Sequence, residues 1–94
     1  MAWTIDYTDT AKDQLRKLDK QTARRIVDYM DQRIAALENP RSIGKALTGP
    51  LGGFWRYRVG DCRVICDIQD QRICVLVLRV GRRGEVYRQG KRLI

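Results

Sequence analysis

Apolar Trp3, Ile5 and Tyr7 alternate with polar Thr4 and Asp6, the two-residue period of a strand with one buried face. The period changes at Thr8. Thr8 or Asp9 is placed to cap a helix, and Ala11, Leu15 and Leu18 then recur at i, i+4 and i+7. After a break at Asp19 to Gln21, the positions Ala23, Ile26, Val27, Met30, Ile34 and Leu37 keep helical spacing until Pro40 of "ENP" stops the helix. The two helices are expected to form an antiparallel hairpin that serves as scaffold, with Arg24, Arg25 and Arg33 balanced by Asp28 and Asp31. "RSIGKALTGPLGG" holds four Gly and one Pro, so it reads as a loop, anchored by Ile43, Leu47 or Leu51.

Three further strands follow. Phe54–Val59 and Cys62–Ile68 flank Gly60-Asp61, whose leading glycine suits a type II′ hairpin turn. "RICVLVLRV" is apolar on both faces and belongs in the interior of a sheet. "GRRG" ends that strand, and "EVY" adds a short strand or turn. Repeats and linkers are lacking, and 94 residues suffice for one domain but not two, so residues 1–94 are expected to fold as a unit. The predicted class is α+β, with the two N-terminal-half helices packed on one face of a mainly antiparallel four-stranded sheet.

The turn sets a register with chemical consequences. A two-residue loop puts Val59 opposite Cys62, Arg58 opposite Arg63, Tyr57 opposite Val64 and Arg56 opposite Ile65. Trp55, Tyr57, Val59, Cys62, Val64 and Cys66 then share the face turned to the helices, while Arg56, Arg58 and Arg63 share the other. Like charges set opposite each other disfavour a sheet by roughly 0.2–1 kcal/mol, so folding alone gives no reason for the Arg58–Arg63 pair. Guanidinium forks converging on a phosphate or carboxylate do give one.

Composition narrows the chemistry. The formal charge is +8, from 19 Lys and Arg against 11 Asp and Glu, and residues 54–94 carry net +6 of it. That bias favours nucleic acid or an acidic protein partner. Histidine is absent, and the three cysteines, Cys62, Cys66 and Cys74, lack C-x-x-C spacing, so no metal or cofactor is expected and buried apolar roles suit the cysteines. No run reaches the roughly 20 apolar residues of a membrane span, and "MAWTIDYTDT" lacks the parts of a signal peptide. The expected location is the cytoplasm. "GRRGEVY" adds Arg82, Arg83 and Tyr87 after the last strand, and a phenol beside cations can act as a general base.

The order of strand, two helices, "NP" loop, "KALTG", "FWRYRVGDCRVI", apolar strand and "VGRRGEVY" resembles the RelE/ParE toxin superfamily, RelE-type toxins in particular, over nearly all 94 residues. The resemblance implies a RelE-like microbial RNase fold and a metal-independent, ribosome-dependent endoribonuclease that cuts mRNA in the A site. It implies a cognate RelB-like antitoxin, with which the toxin forms a hetero-oligomer. Carried across, the family's functional positions fall on Arg56, Arg58, Arg63, Arg83 and Tyr87. Tyr87 would take the proton from the attacking 2′-hydroxyl, and the arginines would stabilise the phosphorane-like transition state. Arg82, Arg88, Lys91 and Arg92, the last three in the basic tail "RQGKRLI", join them as expected RNA contacts. The well-studied RelE type has lysines where this chain has Arg56 and Arg58, and a guanidinium is a poor proton donor, which leaves the general acid unassigned. Two other readings share the scaffold: a non-catalytic ParE-like inhibitor of DNA gyrase, and an inactive homologue that only binds its antitoxin.

Overall fold

In the computed structural model, residues 2–82 are described. Strand β1 (Thr4–Tyr7) leads into helix α1 (Asp9–Lys17), which Thr8 caps by accepting a hydrogen bond from the Ala11 N–H. Asp19 caps α2 (Lys20–Asp28) in the same way, through the Thr22 N–H at 3.0 Å. The helix predicted from Thr22 to the "ENP" stop runs on from α2 as a π-helical stretch over Tyr29–Ile34, closed by the Ala35 N–H on the Met30 carbonyl at 3.0 Å. It ends earlier than its apolar spacing suggests. The reason is that Trp3 ties down its end, with the backbone N–H donating to the Ala35 carbonyl and the indole to that of Glu38.

The remaining strands are β2 (Lys45–Ala46), β3 (Trp55–Val59), β4 (Cys62–Gln69) and β5 (Cys74–Arg82). The sheet has five strands in the order β1-β5-β4-β3-β2, antiparallel except where β1 runs parallel to β5. The expected count of four missed β2. Two residues in a glycine-rich loop carry no readable period, and their pairing to Arg56 and Trp55 is made by β3. Strand β5 is interior, as its apolar sequence suggests.

Ala11, Ile26, Met30 and Ile34 from the helical layer pack on Tyr57, Val59, Cys62, Val64, Cys66, Val75, Val77 and Val80 of the sheet. All three cysteines are free and buried in or beside this layer. The loop before β3 is fastened to the sheet by two side chains. The Tyr57 hydroxyl donates to the Pro40 carbonyl at 2.5 Å, and the Trp55 indole donates to that of Ile43 at 2.8 Å. Gly44 makes this approach feasible, since its φ is +84° and a Cβ there would lie 2.5 Å from the Arg56 carbonyl oxygen. Among the described residues, no helix is long and apolar enough to cross a membrane.

Candidate functional site

The β3–β4 hairpin has the register that its turn dictates. Val59 pairs with Cys62, Arg58 with Arg63, Tyr57 with Val64 and Arg56 with Ile65. Gly60 has φ +61° and Asp61 a negative φ, the sign pattern of a type II′ turn. Arg56, Arg58 and Arg63 therefore lie together on the face of the sheet away from the helices. That face is less open than the alternation alone suggests. Arg63 is only 6% exposed, while Arg58 is exposed.

Two cations not anticipated from the sequence extend the cluster. Lys45 pairs with Arg56 across β2 and β3, and Arg79 pairs with Ile65 across β4 and β5, so one row across four strands reads Lys45, Arg56, Ile65, Arg79. The adjoining row reads Arg58, Arg63, Gly81, and the glycine adds no side chain beside Arg63. Arg79 reaches this face through a β-bulge. Cys66 pairs with Val77 but Ile65 pairs with Arg79, leaving Leu78 as the extra residue and reversing the side-chain parity of β5 beyond it. Helix α1 holds the bulge. The Thr8 hydroxyl donates to the Leu78 carbonyl at 2.8 Å, and the Gln14 side chain accepts from the Val80 N–H at 2.6 Å. The missed signal for Lys45 was β2, and for Arg79 it was a charge at a position that simple alternation assigns to the core.

The cluster is electrostatically unbalanced. Among the described residues, Lys45, Arg56, Arg58, Arg63 and Arg79 make no ion pair with a carboxylate. Among the described residues, Arg56 Nε and Arg79 Nη1 are buried without a hydrogen-bond partner, a state that costs about 1–3 kcal/mol for each such group. Burial holds the Arg79 guanidinium below its ordinary pKa. Arg58 also borders a cleft of about 330 Å³ between β3 and the helical layer, with Arg25, Asp28 and Arg33 on its walls. Among the described residues, Arg25 and Arg33 form no ion pair with Asp28 or Asp31, and Asp31 accepts a hydrogen bond from the Tyr7 hydroxyl at 3.3 Å. Arg63 Nη1 donates to the Cys62 carbonyl at 3.4 Å, so an anion approaching this face would meet preoriented donors of which those on Arg56 and Arg79 have no competing partner among the described residues.

Arg82 stands apart from the cluster. It pairs with Cys62 in the register, on the parity of the helix-facing side, and its guanidinium is 2.5 Å from Asp61 in the hairpin turn. Arg83, Tyr87, Arg88, Lys91 and Arg92, together with the "EVY" element, lie outside the described residues. Among the described residues, no group of three or more metal-ligating side chains comes together.

Comparison with known proteins gives a consistent result. A family model described as ParE toxin of type II toxin-antitoxin system, parDE, matches residues 5–87. Toxin RelG of Mycobacterium tuberculosis is 30% identical over 89 residues, covering 95% of this chain and 100% of that protein. Toxin RelE of the same organism is 33% identical over 84 residues, covering 89% of this chain and 84% of that protein. The crystal structure of the toxin-antitoxin complex RelBE2 from M. tuberculosis contains a chain with a TM-score of 0.80 and 29% identity, covering 88% of this chain and 93% of that one.

Proposed function

Because the chain belongs to the ParE toxin family and is a RelE-like toxin of a type II toxin–antitoxin system, we propose that it acts as a ribosome-dependent, metal-independent mRNA endoribonuclease. The observation that carries this reading is the cluster of cations, Arg56, Arg58 and Arg63 with Lys45 and Arg79, on one face of the sheet with no carboxylate paired to them among the described residues. A surface that only stabilised the fold would not set Arg58 against Arg63, nor bury guanidinium N–H groups without acceptors.

The chemistry uses the substrate's own nucleophile. The ribose 2′-oxygen attacks the phosphorus, its proton passes to the Tyr87 phenolate, and the bond from phosphorus to the 5′-oxygen breaks as that oxygen takes a proton from solvent water. The product is a 2′,3′-cyclic phosphate and a 5′-hydroxyl. Arg56, Arg58, Arg63 and Arg83 stabilise the charge that develops on the phosphoryl oxygens, the kind of term that usually supplies the largest share of catalysis. Cations beside a phenol favour its phenolate, which suits the arginine-rich sequence before Tyr87 to this role. Arg82, Arg88, Lys91 and Arg92 add contacts to RNA outside this centre.

The partner is a small acidic antitoxin that neutralises the same face. Basic surfaces raise the association rate of acidic partners. The structural relative from M. tuberculosis is itself in a toxin-antitoxin complex.

The deciding measurement is mRNA cleavage on programmed ribosomes by the wild type and by Tyr87→Phe. Cutting by the wild type and strong loss in the variant is the expected result. Equal cutting by both removes Tyr87 from the mechanism. Absence of cutting by either, with inhibition in a gyrase supercoiling assay, transfers the reading to a ParE-like inhibitor.

A further inference from the structure

The departing 5′-oxygen needs a proton, and arginines are poorly suited to give one. A guanidinium releases its proton roughly 100-fold or more less readily than an ammonium. In the cluster of Lys45, Arg56, Arg58, Arg63 and Arg79, the one ammonium is that of Lys45. Other proton donors among the described residues are engaged elsewhere. The chain has no histidine, and Cys62 and Cys66 are buried in the core against the helices. The Tyr57 hydroxyl donates to the Pro40 carbonyl, and the Cys74 thiol donates to Asp6 at 3.5 Å.

We infer that Lys45 is the general acid of the cleavage step, passing a proton to the 5′-oxygen and recovering one from solvent water. Its register on β2 places it there. Lys45 and Arg56 are direct cross-strand partners, so their side chains share a face and their Cα atoms lie about 4.5–5.5 Å apart. Arg58 follows Arg56 by two residues on that same face. A phosphate held by Arg56 and Arg58 therefore has the long, flexible stem of Lys45 beside it, with an ammonium in reach of its oxygens. Strand β2 is at the edge of the sheet and Lys45 is exposed, so water can recharge the amine.

The chain on both sides of this two-residue strand is fastened to β3. Before it, the Trp55 indole holds the Ile43 carbonyl at 2.8 Å, and Gly44 lies so close that a Cβ would be 2.5 Å from the Arg56 carbonyl oxygen. After it, the Leu47 N–H donates to the Phe54 carbonyl at 3.0 Å. Lys45 thus meets Arg56 in a set register although only two residues of β2 pair.

The step balances without a further reactant. The bond from the 2′-oxygen to phosphorus forms, the bond from phosphorus to the 5′-oxygen breaks, and Nζ–H gives its proton to the 5′-oxygen, leaving a neutral amine. The amine takes a proton from water while Tyr87 returns to solvent the proton of the 2′-hydroxyl, so turnover consumes none.

The assignment rests on the nuclease reading, and the test separates the two. Single-turnover cleavage on programmed ribosomes, at saturating toxin, is measured for the wild type, Lys45→Met, Lys45→Arg and Arg58→Ala. Each acts on an all-oxygen mRNA and on one whose scissile 5′-oxygen is replaced by sulfur. A thiolate leaves without a proton, because a thiol ionises far more readily than an alcohol. On the all-oxygen mRNA both Lys45 variants are expected to cut about 100-fold more slowly, since methionine has no proton to give and arginine keeps the charge but holds its proton. On the sulfur-substituted mRNA both should cut within about threefold of the wild type, whereas Arg58→Ala, which loses charge stabilisation at the phosphoryl oxygens, keeps its defect. That recovery also shows the Lys45 variants to be folded. A Lys45→Arg variant that cuts the all-oxygen mRNA like the wild type, or a Lys45 defect that persists on the sulfur-substituted mRNA, overturns Lys45 as the acid and leaves the nuclease reading intact. A wild type that cuts neither mRNA overturns both.

Discussion

The two faces of one sheet are built to opposite specifications from alternate residues of the same strands. On the helix-facing side, Tyr57 is wholly buried, its hydroxyl bonded to Pro40, and Val64, Cys66, Val75 and Val77 close around Ile26 and Met30. On the other side, Arg56 and Arg79 carry buried N–H groups with no partner among the described residues, and Arg58 opposes Arg63. The first face satisfies the chain. The second leaves donors waiting for an external acceptor, and the difference separates what holds this protein together from what it presents to other molecules.

The largest effect that should separate the faces is a core truncation. Ile26 is fully buried, so Ile26→Ala is expected to cost about 2–5 kcal/mol in urea-induced unfolding. Arg58→Ala tests the opposite side. Its mRNA cleavage on programmed ribosomes is expected to fall roughly 100-fold, while stability stays within about 0.5 kcal/mol of the wild type. A loss of stability as large as that of the core variant would abolish the division between the faces.

A smaller effect concerns the β4–β5 connection, which belongs to neither face. Ile73 is β-branched yet sits at φ +49°, partly exposed. Ile73→Gly relieves that strain and should gain about 1 kcal/mol net of the entropy glycine adds to the unfolded chain, read as a higher Tm. An unchanged or lower Tm would show that the left-handed residue is well accommodated.

The smallest effect is electrostatic. Arg41 grips Asp70 through two hydrogen bonds of 2.8 and 2.9 Å and holds its carboxyl below the ordinary value. A depressed folded-state pKa contributes stability that is present at neutral pH and is lost as pH falls through that pKa. The Tm gap between wild type and Asp70→Asn should therefore close as pH drops below the ordinary carboxylate value of about 3.9. A gap that persists in acid would assign the effect to packing of the asparagine.

Much of this arrangement was legible in the residues. Gly60-Asp61 fixed a two-residue turn, and the turn assigned Trp55, Tyr57 and Val64 to one face and Arg56, Arg58 and Arg63 to the other, as observed. Lys45 was not legible. It lies in a glycine-rich loop, and it joins the cation row only because Tyr57 and Trp55 draw that loop onto the edge of β3. The depth of Arg63 was likewise hidden, since alternation gives the side on which a residue lies and says nothing of what covers it.

Arg79 marks the boundary most sharply. Strand alternation is local, a consequence of the pleat, so the chain alone sufficed for β3 and β4. Beyond Leu78 the parity of β5 depends on a bulge whose carbonyl is bonded by Thr8, 70 positions away, and whose next N–H is bonded by Gln14, 66 positions away. Contacts between residues so distant exist only once helix and sheet have packed, and they turn an arginine that alternation assigns to the core toward the other cations.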